Sequence, residues 1–110
     1  MNINTVEYQP KKYPVVTLCG STKFKDEFLE AQKKLTLQGY IVISVGLFGH
    51  SGDDLCGLKE MLDDMHKRKI DMADEIFVIN KNKYVGSSTK SEIDYAKAHN
   101  KKINYLEDPN

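Results

Sequence analysis

The sequence predicts an α/β protein: one domain built on a doubly wound parallel sheet of the flavodoxin or Rossmann-like class, in the order βαβαβαβ. Short runs rich in β-branched residues alternate with longer segments whose apolar residues recur at helical spacing. The connections between successive strands are long enough for the helical crossovers that parallel strands need. With 110 residues, the chain can bury the core of one such domain but not of two.

The first predicted strand and helix show this pattern clearly. Residues 14–19 (PVVTLC) form a short, mostly apolar run that ends at a glycine and a serine, as a strand followed by a turn does. Over residues 23–38 the apolar side chains at positions 24, 28, 31 and 35 fall on one helical face. Thr22 is the expected N-cap of this helix, and Gly39 is the residue expected to end it.

The rest of the chain repeats the alternation. Residues 1–13 are polar, contain a proline and show no sustained period, which predicts a flexible N-terminal arm outside the domain of residues 14–110. The segment 46–54 has three glycines in nine residues, which indicates a loop. The other predicted elements are a strand at 40–45, a helix at 58–73, a strand at 75–80, a loop at 81–88, a helix at 89–100 and a strand at 102–107.

Composition excludes several classes of function. Sixteen Lys and Arg balance sixteen Asp and Glu, so the chain lacks the positive field by which proteins bind nucleic-acid polymers or anionic membranes. No apolar run is long enough to span a membrane, and no signal-peptide core opens the chain. The two cysteines, Cys19 and Cys56, make no disulfide framework, which predicts a reducing, cytoplasmic location. The residues lack metal-ligand spacing, so neither a metal nor a cofactor is predicted.

Doubly wound sheets bind ligands outside the carboxyl ends of their strands, which directs attention to the loops there. The first loop is Gly20-Ser21-Thr22-Lys23, and it opens a predicted helix. Its backbone N–H groups, two hydroxyls and one ammonium group form a candidate anion site. The alternative is a plain turn with a capping threonine and a solvated lysine. The loop lacks Walker A spacing, which argues against ATP hydrolysis.

The loop before the third predicted helix brings a second set of hydroxyl groups to a helix N-terminus. The residues that form it are Gly86, Ser87, Ser88 and Thr89. Glu92 follows, in what is expected to be the first turn of that helix. A carboxylate there is stabilised by the helix dipole, which is a purely structural interpretation. The functional interpretation is a nucleophile or base directed into the crevice, and these residues alone leave both open.

The second loop and the second helix add three candidate substrate-binding side chains. Phe48, flanked by glycines, is placed either to stack on a planar base or to make a satellite hydrophobic contact. His50 is either a substrate ligand or an exposed loop histidine. His66 lies within the charged run 63–69, which predicts a solvated helix face. It is nevertheless a candidate because that helix ends beside the strand that leads to the crevice.

Three stretches carry a resemblance to a known family: VVTLCGSTKF (15–24), MADEIFVIN (72–80) and GSSTKSEIDYAKAHNKKINYL (86–106). They resemble the nucleoside 2-deoxyribosyltransferase superfamily over most of residues 14–107, in the same element order. The Cys-Gly-Ser start, followed by a basic residue, is similar to the branch that hydrolyses 2-deoxynucleoside 5′-monophosphates. The resemblance implies cleavage or exchange of the N-glycosidic bond of a nucleoside or its 5′-monophosphate.

The resemblance also implies roles for individual residues. Glu92 matches the catalytic glutamate, which attacks the anomeric carbon of the deoxyribose and forms a glycosyl-enzyme that water or a second base resolves. Asp74 matches the aspartate of the family's "AD" pair, which is either structural or substrate-binding. The residues matched to the phosphate-facing loop are Ser21, Thr22 and Lys23, and those matched to the loop that holds the sugar and the 5′-phosphate are Ser87, Ser88 and Thr89.

Two positions depart from the transferase pattern. Gly86 and His66 stand where the transferases have aspartates that help to bind the sugar and handle the proton on the leaving base. This departure favours a phosphorylated substrate over exchange between free nucleosides. It also leaves two other classes of function open: a non-catalytic nucleotide-binding module on the same fold, and a structural or interaction protein. A small domain with a crevice open to solvent further predicts a homodimer or larger homo-oligomer.

Overall fold

The computed structural model of the chain describes residues 8–48 and 57–110. Strands and helices alternate as predicted within these ranges, and the four strands form one parallel sheet, which confirms the α/β doubly wound class. The elements are β1 (Val15–Gly20), α1 (Lys25–Leu37), β2 (Ile41–Ile43), α2 (Lys59–Asp71), β3 (Glu75–Ile79), α3 (Ser87–Ala98) and β4 (Lys102–Tyr105).

The strand order β2-β1-β3-β4 places β1 and β3 at the centre of the sheet. Their register pairs Leu18 with Phe77 and Gly20 with Ile79, so the two strands end side by side. The chain leaves β1 towards one edge of the sheet and, after β2, crosses back to form β3 on the other side. This change of direction leaves a crevice between the carboxyl ends of β1 and β3.

Alternating side chains of the central strands form a core on each face of the sheet. On one face, Phe28 of α1 is fully buried against Leu18. On the other face, Ile70 of α2 and Ile93 of α3 pack against Ile76. Each large apolar side chain buried in this way stabilises the fold by about 1.5–3 kcal/mol, so the two cores hold all three helices on the sheet.

The start of α1 differs from the prediction, and the expected Thr22 cap is wrong. Ser21 forms a turn instead: its carbonyl oxygen accepts a hydrogen bond from Phe24 N at 3.0 Å, and its Oγ accepts one at 3.3 Å from the N–H two residues along. The helix therefore begins at Lys25 without a side-chain cap. The predicted end at Gly39 is confirmed, because its φ of +96° is a conformation that glycine adopts at little cost.

Helix α2 presents an unexpected set of side chains to the sheet. The charged run 63–69 predicts a solvated face, but His66 within it is buried, together with Ile70. Leu58, Met61 and Met65 are exposed despite their apolar character. The buried face of the helix is held by the contact of the His66 ring with the Leu18 carbonyl of β1 and by the packing of Ile70 in the core.

A side-chain clamp ties the chain after β4 to the loop after β3. Asn80, which is almost fully buried, donates a hydrogen bond from Nδ2 to the Glu107 carbonyl and accepts one at Oδ1 from Glu107 N, both at 2.8 Å. The Glu107 carboxylate accepts a further hydrogen bond from Asn82 N at 2.8 Å. These contacts hold the start of the β3–α3 connection against the chain after β4.

The predicted arm lies partly within the described ranges. Residues 8–14 contain neither helix nor strand, and residues 1–7 lie outside the described part of the chain. Of the helices in the described ranges, none is long and apolar enough to cross a membrane.

Candidate functional site

A cavity of about 510 Å³ lies between the carboxyl ends of β1 and β3, at the change of chain direction. Its volume falls within the usual range of small-molecule pockets. The loop after β1 forms one wall, the first turn of α3 forms another, and one side of α2 closes the third. The residues singled out from the sequence that line it are Gly20, Ser21, Thr22, His66, Gly86, Ser87, Ser88, Thr89 and Glu92.

These residues meet because parallel strands end at the same edge of the sheet. Gly20 ends β1 where the two central strands approach closely: a Cβ atom there would lie 2.8 Å from the Ile79 carbonyl oxygen. Gly86 is the N-cap of α3, and the three hydroxyl residues after it form the first turn of that helix. Backbone N–H groups at a helix start favour anions, so this wall of the pocket suits a phosphate or carboxylate group.

Glu92 is buried at the pocket wall, and its position in α3 corrects one interpretation of the sequence. The helix begins at Ser87, two residues earlier than predicted, so Glu92 lies in the second turn rather than the first. Stabilisation by the helix dipole in the first turn therefore does not explain this residue. Burial, reinforced by the negative charge of Asp63, raises the pKa of the Glu92 carboxyl group to about 7. Near neutral pH the group exists in both its protonated and its ionised form.

His66 lies beside this carboxyl group as a neutral ring. Its Nε2 is 2.9 Å from the Leu18 carbonyl oxygen and 4.0 Å from Glu92 Oε1. Since a carbonyl oxygen only accepts hydrogen bonds, Nε2 carries a proton and donates it to Leu18. Burial lowers the pKa of His66 to about 4, with a contribution from the positive charge of Lys69. The contact with Glu92 is therefore not an ion pair at neutral pH.

Cys19, His66 and Glu92 bring three possible metal ligands within 4.8 Å of one another, all of them buried. The geometry does not favour an ion. The Leu18 carbonyl oxygen occupies the direction in which His66 Nε2 would hold a metal. Burial raises the pKa of the Cys19 thiol, which disfavours the thiolate that metals bind. The cluster is better described as a buried thiol, a neutral imidazole and a carboxyl group.

Two of the other predicted side chains, Lys23 and Phe48, do not line the pocket. The Lys23 ammonium group lies 3.6 Å from the centre of the Tyr84 ring, a cation–π contact, and Lys23 does not line the cavity. The ring of Phe48 packs edge-on against Phe28 with their centres 5.6 Å apart, which corresponds to the satellite hydrophobic contact of the two alternatives.

The last two predicted residues lie elsewhere in the chain. Asp74 is at the amino end of the sheet, opposite the pocket, where its carboxylate accepts a hydrogen bond from Val15 N at 2.8 Å. Its position is that of a structural residue. His50 lies outside the described residues.

The structure adds four polar lining residues that the sequence analysis missed: Lys59, Asp63, Lys69 and Tyr84. Lys59 Nζ lies 2.6 Å from the Asp63 carboxylate and 3.2 Å from Ser88 Oγ, so it joins α2 to the start of α3. A signal was present in the sequence, because Lys59, Asp63 and His66 recur at helical spacing. The intervening charges concealed it by giving the whole run the appearance of a solvated face.

Chemically, the pocket combines three features. One carboxyl group, Glu92, is poised between its two charge states by burial. A cluster of hydroxyl and backbone N–H groups lies at the start of α3, with the ammonium group of Lys59 beside it. Apolar side chains of α2 and of the segment after β2, namely Leu62, Met65, Val45 and Leu47, line the remaining surface. Such a site suits a small molecule that has an apolar or planar part and an anionic or hydroxylated part.

A scan of protein-family models finds no match to the chain, and a search of curated proteins finds none either. The family resemblance of the three sequence stretches therefore stays a prediction.

Proposed function

We propose that the protein cleaves or exchanges the N-glycosidic bond of a nucleoside or its 5′-monophosphate, with Glu92 as the nucleophile. One observation carries the proposal: a buried carboxyl group lines a ligand-sized pocket beside the hydroxyl-rich start of a helix. Covalent catalysis at a sugar needs such a carboxylate, close to groups that bind the rest of the substrate. The resemblance to the nucleoside 2-deoxyribosyltransferases supplies the reaction class.

The proposed reaction has two displacement steps. In the first, ionised Glu92 attacks the anomeric carbon, the C–N bond breaks, and the base leaves with the bonding electrons and takes a proton from water. An ester then links the sugar to Glu92. In the second, water or another base attacks the same carbon and gives up a proton to the hydroxide left by the first step, the ester bond breaks, and its electron pair returns to the carboxylate. A pKa near 7 leaves enough of the ionised form for attack at neutral pH.

The phosphate of a 5′-monophosphate would bind at the start of α3. Ser87, Ser88 and Thr89 offer hydroxyl and backbone N–H donors there, and Lys59 lies 3.2 Å from Ser88 Oγ. We assign the phosphate to this group, with Ser21 and Thr22 on the facing wall. Lys23, which the resemblance matches to a basic residue of the phosphate loop, contacts Tyr84 instead.

A second candidate function is a non-catalytic nucleotide-binding module. The observation that favours it is the neutral His66 ring, 4.0 Å from Glu92, at a position where the transferases have an aspartate. A site without that second carboxylate still binds a nucleotide through hydroxyls and a lysine. Substitution of Glu92 then changes affinity little and removes no turnover.

The proposal includes the homo-oligomer and the cytoplasmic location expected from the sequence. Leu58, Met61 and Met65 are exposed along α2 beside the pocket. Burying apolar side chains of this size against a second copy is energetically favourable.

The test is a chromatographic turnover assay with ribo- and 2′-deoxynucleosides and their 5′-monophosphates, with and without an acceptor base. We expect free base from the native protein and none from Glu92→Gln, which keeps the side-chain shape but removes the nucleophile. Rapid acid quenching followed by peptide mass analysis should detect the sugar bound to the peptide that contains Glu92. A requirement for the acceptor base identifies transfer, and its absence identifies hydrolysis.

Two controls sharpen the assay. Glu30→Gln, on the exposed side of α1, removes a carboxylate far from the pocket and should retain full turnover. Lys59→Ala should raise KM for a 5′-monophosphate more than for the matching nucleoside, since only the former has the phosphate. Binding of nucleotides by calorimetry without release of base from any substrate would establish the binding module instead.

A further inference from the structure

Cys19 is a buried group next to the pocket that the proposed reaction leaves unused. It is the penultimate residue of β1 and fully buried, and the next residue, Gly20, lines the cavity. Its sulfur atom lies within 4.8 Å of both a carboxyl oxygen of Glu92 and a ring nitrogen of His66. At this separation the thiol can donate a hydrogen bond to the Glu92 carboxyl group, an interaction that lowers the pKa of the carboxyl group and raises the pKa of the thiol.

Cys19 fills its place in the core as a small apolar side chain and also carries a polar group that an aliphatic side chain lacks. Its neighbours in the core are aliphatic side chains of β3, α2 and α3, and β-branched residues pack well at such buried strand positions. A thiol differs from them by offering a weak hydrogen-bond donor. The neighbouring His66 ring does not replace it, because its Nε2 proton is committed to the Leu18 carbonyl.

We infer that Cys19 is a positioning residue for Glu92: its thiol holds the carboxyl group at the pocket wall and stabilises the ionised form that attacks the sugar. The attack on the sugar rests on the proposed function, whereas the hydrogen bond can be tested without any substrate. Burial raises the pKa of the thiol, so Cys19 stays protonated and keeps its donor around neutral pH.

Several other groups bear on the ionisation of Glu92, and the test has to separate them from the thiol. The titratable groups that face it from α2 are Asp63, which disfavours the ionised form, Lys59 and Lys67, which favour it, and His66, which is neutral near pH 7. From the sheet, Cys19 is the facing titratable group among the described residues. Substituting Cys19 alone leaves every α2 group in place, so a change in the titration of Glu92 measures the effect of losing the thiol as a hydrogen-bond donor.

The experiment compares four variants by NMR titration of ¹³C-labelled glutamate side chains, with the Glu92 signal assigned by its loss in Glu92→Gln. Cys19→Ala and Cys19→Val remove the donor, and the valine keeps the core filled if the alanine variant does not fold. Cys19→Ser keeps an O–H donor. Ile76→Val, deeper in the same core, controls for packing. We expect the Glu92 midpoint to rise by about 0.5–1 pH unit without the donor, as loss of one weak hydrogen bond to a carboxylate predicts.

The serine and Ile76→Val variants should titrate like the native protein. An unmoved midpoint in Cys19→Val, or an equal shift in Cys19→Ser or Ile76→Val, would overturn the inference. With substrate, the fall of kcat/KM at acid pH should shift to higher pH by the same amount as the Glu92 midpoint in the variants without the donor. At pH values below that midpoint, their kcat/KM should be about three- to tenfold lower than that of the native protein. If no substrate is turned over, the proposed function fails, while the NMR comparison still decides whether the thiol stabilises the carboxylate.

Discussion

Replacing Glu92 by glutamine should stabilise the protein, and the gain should depend on pH. Burial raises the pKa of Glu92 from its ordinary value of 4.5 to about 7. One pKa unit corresponds to 1.36 kcal/mol, so ionising this carboxyl group costs about 3 kcal/mol more in the folded protein than in the unfolded chain. Glutamine cannot ionise, and its side-chain oxygen still offers an acceptor to the nearby Cys19 thiol.

The direction of this pH dependence follows from whether the folded protein or the unfolded chain binds the proton of Glu92 more tightly. The folded protein does, so the contribution of the protonated carboxyl group to stability is complete below pH 4.5 and is lost as the pH rises through about 7. The glutamine variant suffers no such loss. The free energy of unfolding of Glu92→Gln should exceed that of the native protein by less than about 1 kcal/mol at pH 5 and by about 3 kcal/mol at pH 8. His66, whose pKa is lowered to about 4, titrates in both proteins and largely cancels in the difference.

The assay is urea denaturation at pH 5 and pH 8, followed by far-ultraviolet circular dichroism and analysed as a two-state transition. Glu30→Gln, an exposed substitution on α1, should change the free energy of unfolding by no more than about 0.5 kcal/mol at either pH. An equal advantage of Glu92→Gln at both pH values, or a loss of stability at pH 8, would refute the argument. Either result would mean that burial does not control the charge of this group.

Two further predictions concern the framework that positions the pocket. Asn80→Ala should lower the free energy of unfolding, measured in urea, by about 2–4 kcal/mol, because Glu107 N and the Glu107 carbonyl both lose their buried hydrogen-bond partner at 2.8 Å. A loss below about 1 kcal/mol would mean that water replaces the two hydrogen bonds of the Asn80 side chain. Gly20→Ala should cost about 2–3 kcal/mol, because the new Cβ would lie 2.8 Å from the Ile79 carbonyl oxygen and 2.9 Å from Ile79 Cβ. Gly39→Ala is the control. Its φ is +96° and a Cβ there would have no atom within 4 Å, so the substitution should lower the free energy of unfolding by only about 1 kcal/mol. Equal losses in the two variants would contradict the close approach of β1 and β3.

The location of the pocket could be predicted from the sequence, whereas the set of polar groups around it could be predicted only in part. Gly20, Gly86 and Glu92 were identified because each lies just after a strand or near the start of a helix, and such positions meet at one edge of a parallel sheet. Lys59 was missed because the charges that follow it on α2 give that segment the appearance of a solvated face. Lys23 was expected to face the phosphate, but loop position does not specify where a long side chain points. The Lys23 ammonium group lies over the ring of Tyr84, a residue that is distant in sequence and itself lines the cavity, and Lys23 does not line it.

The sequence by itself determined the alternation of strands and helices and the end of α1 at Gly39. Hydrophobic period and glycine conformation are local properties, which a single chain segment already contains. Tertiary structure decided the charge states at the pocket. The pKa of Glu92 near 7 and of His66 near 4 arises from burial between β1, α2 and α3, three elements that are distant in the chain. Desolvation by such neighbours has no signature in local sequence, so the chemistry of the site emerges only when the helices pack on the sheet.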